Sequence, residues 1–288
     1  MEKNKLNEKL FKMPIPYISP IILVLLIFLI APLVFIVIVS FLEKSDAGLW
    51  GNRFTFDNYI LFFKNPYLVR ILIRTVKISL TVMLIDLVLG YVVAYYITFS
   101  KSKIASIIPI FLVSPLFIAG IIRAYGWLLL LSAYGPVNVF FQSIGIIDKP
   151  IRFLWNQTAV ISAMIEFFLP FMVFSIFGTL LNIDISLLEA AENIGANATQ
   201  RFFKITLPLS FGGVVAGCIL VFCSAFTAFI YPQLLGGGQV MVLGNIIYQY
   251  YLQTMNWPLG SVIGLISLIV SLFLISISLR LGKKYETP

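Results

Sequence analysis

The sequence predicts an all-α, polytopic membrane protein with six transmembrane helices, and three observations carry that reading. Only 11% of its 288 residues are charged and 60% are hydrophobic, whereas a soluble domain is roughly a quarter Asp, Glu, Lys and Arg. Mean hydropathy is +1.01, so the chain lacks the polar groups to cover a surface facing water. Six apolar runs are each long enough to cross a hydrocarbon core of about 30 Å, which takes about 20 helical residues. Disorder is excluded by the same composition. Transmembrane strands are excluded because they alternate lipid-facing and lumen-facing positions, and Ile21 to Leu26 has no polar position in it.

Taken in order, residues 1–16 form a Lys-rich segment containing Lys3, Lys5, Lys9 and Lys12, followed by a first span at 17–41. That run resembles a signal peptide, but a signal core has only about 7–15 apolar residues and ends in a small-residue cleavage site, so it reads as a retained anchor. Residues 42–77 make a long external loop whose Phe54 to Phe63 stretch has the makings of an interfacial helix. The core, 78–281, contains spans at 78–99, 104–131, 160–181, 209–231 and 259–279, with a loop at 182–208 between the fourth and fifth. Residues 282–288 form a tail.

Basic residues orient the chain. With both termini cytoplasmic, eleven of the 20 Lys and Arg lie inside and eight outside, while Arg123 falls within a span. The margin grows if Arg70, Arg74 and Lys77, on one helical face, snorkel to the headgroups. The net charge of +8 is that of loops held against an anionic bilayer rather than of a nucleic-acid binder. No charged residue occurs between Lys204 and Arg280, so the external loop from Pro232 to Pro258 is neutral and aromatic. Its Gly236-Gly237-Gly238 reads either as a flexible turn or as a hinge.

Several chemistries are excluded. There is no His, hence no imidazole proton shuttle and no imidazole metal ligand, and no metal or cofactor is expected. Cys218 and Cys223 lie in one apolar run and read as small core residues. No Gly-x-x-x-x-Gly-Lys-Ser/Thr occurs, so the chain does not bind ATP by that route. An ion-driven carrier is disfavoured by the lack of an internal repeat. An intramembrane protease would need Asp86 and Glu166 as a catalytic pair, and neither stands in a motif for that chemistry.

The 182–208 loop is the most informative stretch. Ile185 to Ile194 has good helix formers, and Ala190 and Ala191 leave a smooth face that another backbone can approach. Gly195 permits a turn that a β-carbon would hinder. A second short helix is expected near Ala198 to Ile205, and Pro208 suits the opening turn of the fifth span. Glu189-Ala190-Ala191, then Gly195, then Ile205, Leu207 and Pro208 match, without gaps, the EAA loop of the permease subunits of ABC-type importers. Seven fixed positions, each met by chance at roughly one in ten to one in twenty, make an accidental match improbable. The resemblance implies a type I importer permease, itself without catalytic residues. The loop would be a coupling helix seated in a separate ATPase subunit, present in two copies, which moves the spans between inward-open and outward-open states. It further implies a second permease as heterodimeric partner and a substrate-binding protein outside. Gly90-Tyr91 with Ala94-Tyr95, Arg123-Ala124-Tyr125-Gly126-Trp127, Leu169-Pro170-Phe171-Met172-Val173 and Asn256-Trp257-Pro258-Leu259-Gly260 are similar to the spermidine/putrescine permeases, the first of the two paired subunits. Permeases for aminoalkylphosphonates, opines and thiamine look similar in the same places.

Asp86, Arg123 and Glu166 lie inside predicted spans, where a charge costs at least about 2.5 kcal/mol unless paired or hydrated. One expectation is an Asp86–Arg123 pair joining the second span to the third. Glu166, four residues before Pro170, is then left to face a solute path with Tyr125, Trp127 and Tyr231, offering charge attraction and cation–π contacts. The competing reading is that Glu166 is protonated and hydrogen-bonded within the bundle.

Overall fold

The computed structural model describes residues 15–45 and 48–283. The Lys-rich residues 1–14 and the tail residues 284–288 lie outside them. The described residues are helical apart from loops and one isolated bridge between Leu42 and Phe54. Four uninterrupted helices are long and apolar enough to span a bilayer: 19–40, 66–99, 157–180 and 257–280. Two bent pairs complete six if each crosses once, one made of 103–117 and 120–130 with a bend of 101°, the other of 198–209 and 211–226 with a bend of 62°.

The chain divides into two compact units, the first formed by residues up to Lys64 together with Tyr250–Leu265. It contains α1 (Ile15–Ser40) and α2 (Asp57–Lys64). Residues Ile21 to Ile30 of α1 are all exposed, as expected of a helix that meets lipid or another subunit. The expected amphipathic stretch folds as α2, which buries Asn58 and Phe62. Asn58 donates to the carbonyls of Ser40 (3.2 Å) and Leu42 (2.8 Å), satisfying acceptors at the end of α1. Phe41 stacks on Phe54 at 5.1 Å, and Trp50 meets Trp257 at 5.6 Å.

The second unit comprises Asn65–Gln249 and the chain from Ile266 onward. Its centre is three helices: α3 (Pro66–Phe99), α7 (Gln157–Leu180) and α10 (Phe211–Phe226). Around them stand α4 (Lys103–Val113), a 3₁₀ turn at Ser114–Phe117, α5 (Gly120–Leu130) and α6 (Pro136–Ser143). The remaining elements are α8 (Ile185–Asn193), α9 (Ala198–Arg201), α11 (Ile230–Leu235), α12 (Leu243–Tyr248) and α13 (Trp257–Lys283), the last shared between the units.

Ile78, Val82, Ala163, Met164, Met172, Val173, Ile176 and Val221 make a dry core. Small residues set the helix spacing, as they do between membrane helices generally. A β-carbon on Gly90 would stand 2.8 Å from Met172 Cγ, and one on Gly217 would stand 2.6 Å from Met172 Sδ. The side chain of Met172 thus fills the space that two glycines leave on α3 and α10. The helix of the second expected span begins at Pro66 rather than near Ile78, so Arg70, Arg74 and Lys77 belong to one continuous helix. Pro66 is suited to that start, and Asn65 caps it by accepting from the N–H of Tyr67 at 3.0 Å.

Candidate functional site

Two sites emerge in the second unit, one at the loop between α7 and α10 and one where α5 meets α7. The first begins at Asp184, whose carboxylate accepts from the Ser186 N–H at 2.9 Å and caps α8. That bond holds the exposed Asp184 carboxyl below the ordinary 3.8. The helix ends on Gly195, at φ +89°, with the N–H of Gly195 bonded to Glu192 O (2.9 Å) and that of Ala196 to Ala191 O (3.0 Å). Asn197 and Gln200 form a capping box that starts α9. A π-helical turn at Phe202–Thr206 and a last turn at Leu207–Leu209 follow, with Pro208 at the start of that turn.

Glu189 and Ala190 are exposed, whereas Ala191 is buried against the rest of the loop. Ile194 is 87% exposed, an apolar side chain left bare at the tip. An ion pair between Glu192 and Arg201 ties α8 to α9. Ile205 and Leu207 are half-buried, and Phe202 sets its ring edge-on against Tyr91 (5.5 Å) and Tyr95 (5.7 Å) of α3. Tyr91 in turn shares a 2.8 Å hydrogen bond with Ser210. The loop is therefore a rigid helix–turn–helix whose second arm is seated on the helical core and whose first arm projects.

The second site arises from a bend and a proline. The chain turns through 101° between residues 103–117 and α5, which sets Arg123 and Trp127, four residues apart, on one face toward α7. On α7, Pro170 has no N–H to return to the carbonyl of Glu166 four residues earlier, so that carbonyl is left without its helical donor. Arg123 supplies the lack. Its guanidinium contacts the Glu166 carbonyl and the Pro115 carbonyl at 3.4 Å each, pairs with the Glu166 carboxylate, and lies 4.6 Å from the centre of the Phe167 ring. Trp127 Nε1 donates to the other Glu166 oxygen at 3.2 Å. A cavity of about 400 Å³ opens beside this group, lined by Arg123, Trp127, Ser162, Glu166 and Pro170 among others.

The Asp86–Arg123 pair does not form. Arg123 belongs to Glu166, while Asp86 is fully buried on α3 with neither carboxylate oxygen hydrogen-bonded. The reason lies in the bend: the turn at residues 114–119 carries α5 onto the part of α7 around Glu166. Of the expected path residues, Glu166 and Trp127 come together at the cavity, and Tyr231 packs its ring on Phe167 at 5.3 Å. Tyr125 and Asp86 do not line the cavity. Phe167 went unnoticed in the sequence among 26 phenylalanines; its one available signal is its place beside Glu166 and three residues before Pro170. The three glycines at 236–238 are a packed turn. A β-carbon on Gly237 would collide with the Trp155 ring, and Trp155 N–H donates to Leu235 O at 2.9 Å.

Four apolar spans with two bent helix pairs beside them, a projecting helical loop and an ion-paired cavity define a transport permease rather than an enzyme. Residues 87–285 match the family described as binding-protein-dependent transport system inner membrane component, and the chain belongs to that family. Membership makes it the non-catalytic, inner-membrane subunit of a transporter. It is 33% identical over 266 residues to the spermidine/putrescine transport system permease protein PotB of Escherichia coli (strain K12), covering 91% of this chain and 96% of the relative. The protein of that name from Salmonella typhimurium (strain LT2) is 35% identical over 237 residues, 82% of each chain. Among solved structures, a bacterial ABC transporter involved in the import of the acidic polysaccharide alginate superposes with a TM-score of 0.80 at 22% identity, covering 99% of both chains. The MetNI methionine ABC transporter gives 0.54 at 18% identity, over 77% of this chain and 100% of the other.

Proposed function

We propose that the chain is the permease of an ABC importer that carries a polyamine, spermidine or putrescine, into the cell. The observation that carries this reading is the extent of likeness to the spermidine/putrescine permeases, 32–35% identity over at least four-fifths of the chain. Fold alone does not choose the solute, since a permease of a transporter for an acidic polysaccharide shares it. A carboxylate at the cavity, Glu166, with the indole of Trp127 beside it, is the chemistry that suits an amine.

In this reading residues 182–208 dock on the ATPase, with Glu189, Ala190, Ala191 and Gly195 forming the seated helix and turn, and with Ile205, Leu207 and Pro208 carrying its motion to α10. Two ATPase copies lie on the cytoplasmic side with both termini. A second permease completes the path as a heterodimer, and a binding protein delivers solute from outside. Closure of the ATPases moves the loop as a rigid body, because Glu192–Arg201 and the Phe202 contacts with Tyr91 and Tyr95 leave it little freedom of its own. Uptake of radiolabelled putrescine and spermidine by cells or proteoliposomes carrying the whole transporter tests the solute, and uptake of neither refutes it. Glu189→Lys and Gly195→Pro are expected to abolish uptake or ATPase association while the chain still inserts; wild-type uptake in both would overturn the docking role.

A further inference from the structure

The shell around the Arg123 guanidinium consists of acceptors: the Glu166 carboxylate, the carbonyls of Pro115 and Glu166, and the face of Phe167. Nothing in it is peculiar to a guanidinium. Arginine ordinarily engages a carboxylate through two parallel N–H bonds, but here Arg123 holds Glu166 Oε1, and Trp127 holds Oε2. A single-point contact of this kind, with carbonyls and an aromatic face around it, serves an alkylammonium equally well.

Access is asymmetric. The Arg123 side chain is 7% exposed and that of Glu166 40%, so the carboxylate is open to the cavity and the arginine reaches it from the protein side. The Tyr231 hydroxyl is buried without a hydrogen-bond partner, on a ring packed against the same Phe167. A buried hydroxyl left unpaired is uncommon and calls for an explanation, and an arriving N–H donor is one.

We propose that Arg123 is a resident cation, filling in the solute-free state the ammonium site that Glu166, Phe167 and the carbonyl freed by Pro170 provide, and that an amino group of the solute takes its place. The identity of the solute rests on the polyamine reading; the site itself rests on the geometry. Cation replaces cation, so Glu166 is never left bare in the membrane. Neutral solutes have no charge with which to displace the guanidinium, and anionic ones meet Glu166 unfavourably, so Arg123 sets specificity by competing for the site.

The test is equilibrium binding of radiolabelled 1,4-diaminobutane to the assembled, nucleotide-free transporter without its binding protein. Arg123→Gln is expected to bind the diamine at least tenfold more tightly than wild type. Arg123→Gln combined with Glu166→Gln loses that gain, and 1,4-butanediol binds to neither. Arg123→Lys keeps the charge but has fewer donors for the same acceptors, and is expected to give a two- to threefold gain. An assembled Arg123→Gln that binds no more tightly than wild type overturns the proposal; if that variant fails to assemble, the same absence of gain in Arg123→Lys overturns it. Polyamine uptake by the wild type, measured in parallel, separates the two readings. Uptake without a gain in binding removes the resident cation alone, whereas a gain without uptake removes the polyamine assignment alone.

Discussion

Asp86 and Glu166 are both carboxylates within membrane helices, and the structure treats them oppositely. Asp86 sits on an uninterrupted stretch of α3, fully buried, with both oxygens unbonded. Glu166 stands one turn before Pro170, open to a cavity, with Arg123 on one oxygen and Trp127 on the other. The difference teaches that a charge in a helical bundle finds partners where a proline frees a carbonyl and a neighbouring helix pair bends. Proline releases a backbone acceptor and the bent neighbour brings side-chain donors to it, whereas the proline-free stretch of α3 in a packed core provides neither.

The comparison can be broken or sharpened by charge substitutions. Arg123→Glu should have the largest effect, since it sets two carboxylates against each other and leaves the Glu166 charge without its cation. Loss of assembled transporter from the membrane would show it, and Glu166→Arg in the same chain should recover part of the loss. Asp86→Asn should act in the opposite direction, because an amide without partners is cheaper to bury than a carboxylate. A gain of about 1 kcal/mol is expected, read as a rise in Tm of the purified protein. A fall in Tm would mean that Asp86 has a partner in the assembled complex.

Arg201→Gln breaks the solvent-facing Glu192–Arg201 pair, and should cost no more than about 0.5 kcal/mol, shown by faster proteolysis of the loop with little change in Tm. The smallest effect belongs to Asp184. Its folded pKa is lowered by the Ser186 N–H, so its contribution is complete above the unfolded value near 3.8 and is lost as pH falls through the lower folded value. Protection of the loop from an acid protease should therefore decline only below about pH 4, and the decline should be absent in Asp184→Asn.

Much of the molecule was legible in one dimension. Apolar runs located the crossings because lipid imposes length and composition on any helix that faces it. The apolar run places the second helix at 78, twelve residues after its true start at Pro66, because Arg70, Arg74 and Lys77 interrupt the apolar run without interrupting the helix. The helix–turn–helix of residues 182–208 is legible down to Gly195, whose positive φ only a residue without a β-carbon adopts easily. The Asp86–Arg123 pair, by contrast, is expected from opposite charge alone, and charge carries no information about a bend of 101° between 103–117 and 120–130.

By itself, then, the sequence determined that the chain is helical, lives in a bilayer and belongs with the permeases of importers. Each of these follows from local composition or from a gapless motif. Only the tertiary structure decided that Arg123 serves Glu166, that Trp127 and Phe167 attend that pair, and that Asp86 is left alone. Partners in a membrane core are chosen by where helices bend and how closely glycines let them approach, and those are properties of packed helices together rather than of any one segment.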